Sequence, residues 1–177
     1  MSYHSAATFR TLGNAAASQN ILTIYNGHAS KVVRLRSLVF QEDATAVLTA
    51  YSSVVKVSRA TSISGGTALT KVNWDTSAAS DASIVCLEAT ASDGGTATAI
   101  TATPGTTLWQ QFIMRIHTLV GQIFMQDSLV LPLIAEATPV VLRPGEGIVV
   151  NIVNGTAASN LATNHYIVNA AWTEDAS

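Results

Sequence analysis

Short apolar runs rich in Val, Ile, Leu and Thr recur along this 177-residue chain, separated by Gly, Asn, Asp and Ser clusters. Ile21-Leu-Thr-Ile-Tyr-Asn26 reads as a strand closed by Asn26-Gly27, a strong turn dipeptide. In Lys31-Val-Val-Arg-Leu-Arg-Ser-Leu-Val-Phe-Gln41, positions from Val33 alternate. Val33, Leu35, Ser37 and Val39 fall on one face, Arg34, Arg36 and Leu38 on the other, the pattern of a half-buried strand. The two runs are expected to pair as neighbours. Between Asp43 and Arg59 the positions Val47, Leu48, Tyr51, Val54 and Val55 fit a helical stripe as well as a strand pair. The density of Val and Thr favours strand.

Ser64-Gly65-Gly66-Thr67 and Ser92-Asp93-Gly94-Gly95-Thr96 read as hairpin turns in which glycine supplies positive φ. In the second half, Leu108 to His117 is a long strand, and Asp127 to Ala135 carries an apolar run broken by Pro132. Thr138 to Leu142 is a short strand. Arg143-Pro-Gly-Glu-Gly147 turns the chain tightly into Ile148–Asn154, and His165–Trp172 closes it. About ten short strands with little helix predict an all-β fold, an antiparallel β-sandwich rather than a barrel because the runs are uneven. Residues 1–20, small and polar without sustained periodicity, read as an N-terminal arm ahead of a single domain over 21–177. That arm either orders on contact with a partner or is merely disordered.

Composition sharpens this. Only 11% of residues are charged, against a typical fraction of about 25%, while 48% are hydrophobic. Either partners cover part of the surface, or Thr, Ser and Asn solvate it. A net charge of −2 offers no basic field for phosphate backbones, so no nucleic-acid partner is expected. No apolar window is long enough for a membrane helix, so no membrane partner is expected either. The single cysteine, Cys86 in Ser83-Ile-Val-Cys-Leu87, reads as a buried small hydrophobe. Without an internal disulfide or a leader-like N-terminus, the chain is expected in a cytoplasm-like compartment.

Candidate chemistry is sparse. His4, His28, His117 and His165 are dispersed, with no second ligand at metal spacing, so no metal or cofactor is expected. His28 follows a turn glycine and is expected in solvent. The adjacent carboxylates Glu42-Asp43 and Glu174-Asp175 lie at element ends, where charge normally sits in water. No nucleophile elbow or phosphate-cradling loop is present, and the chain does not read as an enzyme. Trp109 and Trp172 fall in strands, as core or contact residues. Trp74, in Asn73-Trp-Asp75, is either an exposed interface anchor or a residue plugging its loop into the core. Tyr3, Phe9 and Arg10 are the contact candidates on the arm.

The pairing of Asn20–Asn26 with Lys31–Leu38, the Arg143–Gly147 turn, the closing strand Asn164–Trp172 and the Ala/Thr/Gly-rich composition resemble small jelly-roll structural proteins of tailed bacteriophages. Within that group the chain looks most like a capsid decoration, or cement, protein. The resemblance implies a homotrimer on the virion head surface, made in the host cytoplasm, that clamps neighbouring major capsid protein subunits. It implies no catalytic residues. A tail, baseplate or fibre component with a receptor- or carbohydrate-binding role is the alternative.

Overall fold

The computed structural model describes residues 2–7, 11–12, 18–44, 51–89, 99–115, 129–130, 139–154 and 164–175. Within them the strands are β1 (Ser2–Ala7), β2 (Thr11–Leu12), β3 (Ser18–Asn26), β4 (Val32–Ala44), β5 (Tyr51–Gly65), β6 (Thr67–Ala68) and β7 (Val72–Asn73). They continue with β8 (Ile84–Glu88), β9 (Ile100–Arg115), β10 (Leu129–Val130), β11 (Val140–Leu142), β12 (Gly147–Asn154) and β13 (Asn164–Asp175). They form two antiparallel sheets. One runs β10-β4-β13-β1-β7, with β11 also on β4 and β2 on β13; the other runs β6-β8-β3-β12-β5-β9. The ambiguous stretch from Asp43 is strand through Ala44 and again from Tyr51, and 45–50 lie outside the described residues. The Ser92–Thr96 turn, His117 and most of 127–135 lie outside them too.

Both sheets turn alternate side chains into one shared core. Val33, Leu35, Leu38 and Phe40 of β4 and Val168, Ala170 and Trp172 of β13 meet Ile24, Val57, Ile84, Ile148, Val150 and Ile152 from the other sheet. Each fully buried aliphatic side chain contributes about 1.5–3 kcal/mol relative to exposure, so this layer is the main source of stability. Cys86 lies in it, as its apolar flanks predicted. Burial pushes its thiol pKa up to about 12 despite the opposing field of Lys71.

Three sequence expectations change here. First, β3 and β4 do not pair; they lie in opposite sheets. Asn26 is buried, and its side-chain amide donates to the Lys31 and Leu142 carbonyls at 2.8 and 3.0 Å, while its Oδ1 accepts from His28 N–H. Asn26-Gly27 therefore steers a crossing between sheets. Gly27 is not among the positive-φ glycines that a two-residue hairpin would need. It is small because a Cβ there would sit 2.8 Å from the Ser83 carbonyl oxygen.

Second, the alternation in β4 breaks. Trp172 faces Leu35 while Ala171 faces Ser37, which leaves Arg36 as an extra residue in a β-bulge. The bulge moves the inward set from Val33 and Leu35 to Leu38 and Phe40. A similar bulge at Ile21, between the pairs Leu22–Val150 and Asn20–Asn151, explains why Ile21 and Leu22 are buried in succession.

Third, Gly65 and Gly66 have φ of +72° and +70°, the positive values expected, but they do not close a hairpin. They hand the chain from β5, paired with β9, to β6, paired with β8. The Arg143–Gly147 turn is as expected: Gly145 has φ +78°, and Arg143 N–H donates to Glu146 Oε2 at 2.9 Å.

Candidate interaction surface

Ser2–Ala7, expected within the arm, is a strand laid along β13 from the pair Ser2–Glu174 to the pair Ala7–Asn169. Its sequence carries little apolar signal, and among its described side chains His4 and Ala6 turn inward. The strand exists through its partner, not through its own propensity. β7 pairs on its other side, His4 opposite Asn73 and Ser5 opposite Val72.

At this edge the chain gathers ionisable groups that are far apart in sequence. Glu174 is buried rather than solvated at a strand end. Its carboxylate accepts from Ser80 Oγ at 2.7 Å, Asp81 N–H at 3.0 Å and the Trp172 indole N–H at 3.2 Å. His4 Nε2 lies 3.7 Å away and Lys31 Nζ 3.9 Å away. Asn73 Oδ1 accepts from Ser80 N–H and is 2.9 Å from His4 Nδ1, so that nitrogen is the donor. A buried carboxylate is tolerable only with this density of donors.

A second layer surrounds Asp81. Lys31 Nζ is 2.9 Å from its carboxylate, and Ser83 donates to it through both N–H and hydroxyl. These bonds, led by Lys31, hold the Asp81 carboxyl well below the usual carboxylate range. His28 is not simply solvated as expected. Its Nδ1 accepts from Ser30 and Lys31 N–H, and its Nε2 lies 3.4 Å from Asp81 Oδ2. Lys71 donates to the Asp81 and Ile84 carbonyls, and burial lowers its pKa from the ordinary lysine value. Asp175, beside Glu174, pairs with Arg34 at 2.8 Å.

What this framework holds outward is Trp74. The side chain is 67% exposed, which excludes the loop-plugging alternative, and neighbouring Val72 is 56% exposed. The indole N–H donates to Ser5 Oγ at 3.0 Å, and Asp75 caps the following turn by accepting from Ser77. An aromatic held in place while exposed loses little entropy when a partner covers it. Tyr3 lies in β1 opposite Thr173, one strand over from β7. Phe9 and Arg10 lie outside the described residues. Trp172 is core, and Trp109 packs partly buried against it.

On the outer face of the other sheet lies a pocket of about 430 Å³. Asn151, Val149, Lys56 and Ser18 line it, and Pro104 and Thr107 of β9 contribute as well. Asn151 ties Ser18 and Asn20 together at 2.9 and 2.8 Å. Hydroxyls, amides and one ammonium beside a few aliphatic groups can hold a small polar molecule. No group of three or more metal-ligating side chains is found among the described residues. Sequence reasoning missed Glu174 and His4. The signal for Glu174 was the inward alternation Val168, Ala170, Trp172, Glu174; nothing local marked His4. Compared with family models, curated proteins and solved structures, the chain matches none.

Proposed function

We propose that this protein is a structural subunit that works by protein–protein contact: a capsid decoration protein that binds an assembled head lattice and clamps neighbouring major capsid subunits. The observation that carries the reading is Trp74, exposed beside Val72 on an edge fixed from behind by the Glu174 and Asp81 bonds. Exposed, immobilised aromatics of this kind are typical energetic centres of interfaces. The charge-poor composition agrees with a surface partly covered in its working state. A protein that binds only the assembled lattice stabilises it by mass action, and repeated contacts add avidity. The resemblance implies a trimer on the head surface.

Antibody labelling of gradient-purified particles tests this. Label over the head in hundreds of copies supports decoration. Few copies at the tail would favour the second reading, a tail or fibre component that binds a receptor or sugar, for which the polar pocket beside Lys56 is the supporting observation. No label on any particle would sink both.

A further inference from the structure

Charge is scarce in this chain, so a cation without an acceptor on a sheet face is informative. Among the described residues, the half-buried cations Lys31, Arg34, Arg36, Arg59 and Lys71 each reach an acceptor. These are Asp81, Asp175, Thr173, Glu146 and two backbone carbonyls in turn. Lys56 is the exception. It is half-buried as well, and no acceptor among the described residues meets its ammonium.

Lys56 lies in the pocket of about 430 Å³ on the outer face of the second sheet. Four adjacent strands build that pocket, in the order β3, β12, β5 and β9. On β12, Ile148, Val150 and Ile152 turn into the core, which sends Val149, Asn151 and Val153 outward. Val149 and Ser58 line the pocket yet are only 1% and 5% exposed, so they form its floor. β9 supplies Pro104, Gly105 and Thr107 where its register against β5 shifts, so the depression sits at an irregularity of the ladder. Asn151 donates to Ser18 and Asn20, and Asn20 donates to the Ile100 carbonyl at 3.0 Å, which fixes the amide side. The Ser58 and Thr107 hydroxyls face each other at 3.3 Å, long for two hydroxyls.

These features select a ligand. One ammonium and no carboxylate among the described lining residues favour a single negative charge. Lysine is a point charge with rotatable donors, which suits a carboxylate without bidentate geometry. A phosphate calls for more cationic donors, and the described lining residues include no second cation. Two hydroxyls that bond each other weakly suit a ligand that carries hydroxyls itself. The volume is at the small end of ligand sites, about 300–1,000 Å³, and fits a compact molecule better than a chain.

We propose that this pocket binds a small hydroxylated carboxylate of the sugar-acid class, its carboxylate on Lys56 and its hydroxyls against Ser58 and Thr107. The site rests on the second reading above, receptor or sugar binding, for its biological setting alone. Particle labelling reports where the protein sits, and titration reports whether the pocket fills, so the two fail separately.

The test is titration of the isotope-labelled full chain with glucuronate at low ionic strength, followed by amide chemical shifts, with glucose and acetate as controls. Glucuronate is expected to saturate in the millimolar range and to move the amides of Lys56, Ser58, Thr107 and Asn151. Glucose and acetate each hold half of the chemistry and are expected to bind more weakly. Lys56→Met should weaken glucuronate about 10-fold or more, with an unchanged melting curve. No saturable shift by about 50 mM glucuronate overturns the proposal. So does glucose or acetate binding equally well, or Lys56→Met binding as wild type does. If Lys56→Met melts early, Thr107→Val, at an exposed position, replaces it and is expected to weaken glucuronate about 3-fold.

Discussion

The β7 edge and the β9 edge are treated in opposite ways. At the first, His4, Lys31, Lys71, Asp81 and Glu174 converge within a few ångströms of one another, in a chain that is only 11% charged. At the second, β9 carries no charge from Ile100 to Met114. The difference shows where this fold needs electrostatics. An edge made of two residues of β7 and a strand as polar as β1 cannot be held by apolar burial, so directional bonds to buried carboxylate oxygens replace it. The β9 edge already rests on β5, and Trp109 packs against the core.

The comparison can be broken at its strongest point. Removing the Glu174 carboxylate in Glu174→Ala strands the donors of Ser80, Asp81 and Trp172, and urea denaturation should show a loss of about 3–5 kcal/mol. An unchanged midpoint would mean that apolar contacts alone hold that edge. Lys71→Met removes both donors to the Asp81 and Ile84 carbonyls, and should cost about 1–3 kcal/mol by the same measurement.

Acid should act on this edge selectively. Asp81 has a carboxyl pKa below its unfolded value of about 3.9. Its contribution is therefore complete above that pH and is lost as pH falls towards the folded value. Melting temperatures measured from pH 6 to pH 2 should fall below about pH 4, and Asp81→Asn should flatten that fall. Equal slopes in the two proteins would remove Asp81 from the account.

The smallest stability effect is expected at Trp74. Because two thirds of the side chain is already in solvent, Trp74→Ala should change stability by no more than about 1 kcal/mol. Its binding to particles should fall at least 10-fold, the mark of a contact residue. A large stability loss with binding intact would assign the indole and its Ser5 bond to folding instead.

Much of this architecture could be read from the chain. The strands at Ile148–Asn154 and His165–Trp172 and the Arg143–Gly147 turn are strong local signals, and they hold in the structure. The allocation of β3 and β4 to different sheets was hidden, because Asn26 reads as a hairpin residue until its amide is seen reaching Leu142. Bulges were hidden as well: one inserted residue at Arg36 reverses facing without altering composition. The Glu174 site is a product of pairing between distant strands. Alternation in β13 points Glu174 inward, but His4, Ser80 and Asp81 reach it only through tertiary contacts.

The pairing of β1 with β13 also sets an order of events. Among the described strands β1 is made first and its partner β13 last, so that pairing must wait until the strands between them have been synthesised. Contacts so distant in sequence close slowly, and they close late. Until then Glu174 has no folded surroundings to enter and the Trp74 loop has no Ser5 to rest on. The surface proposed for binding is therefore among the last parts of the molecule to form, and a truncated or stalled chain would not present it.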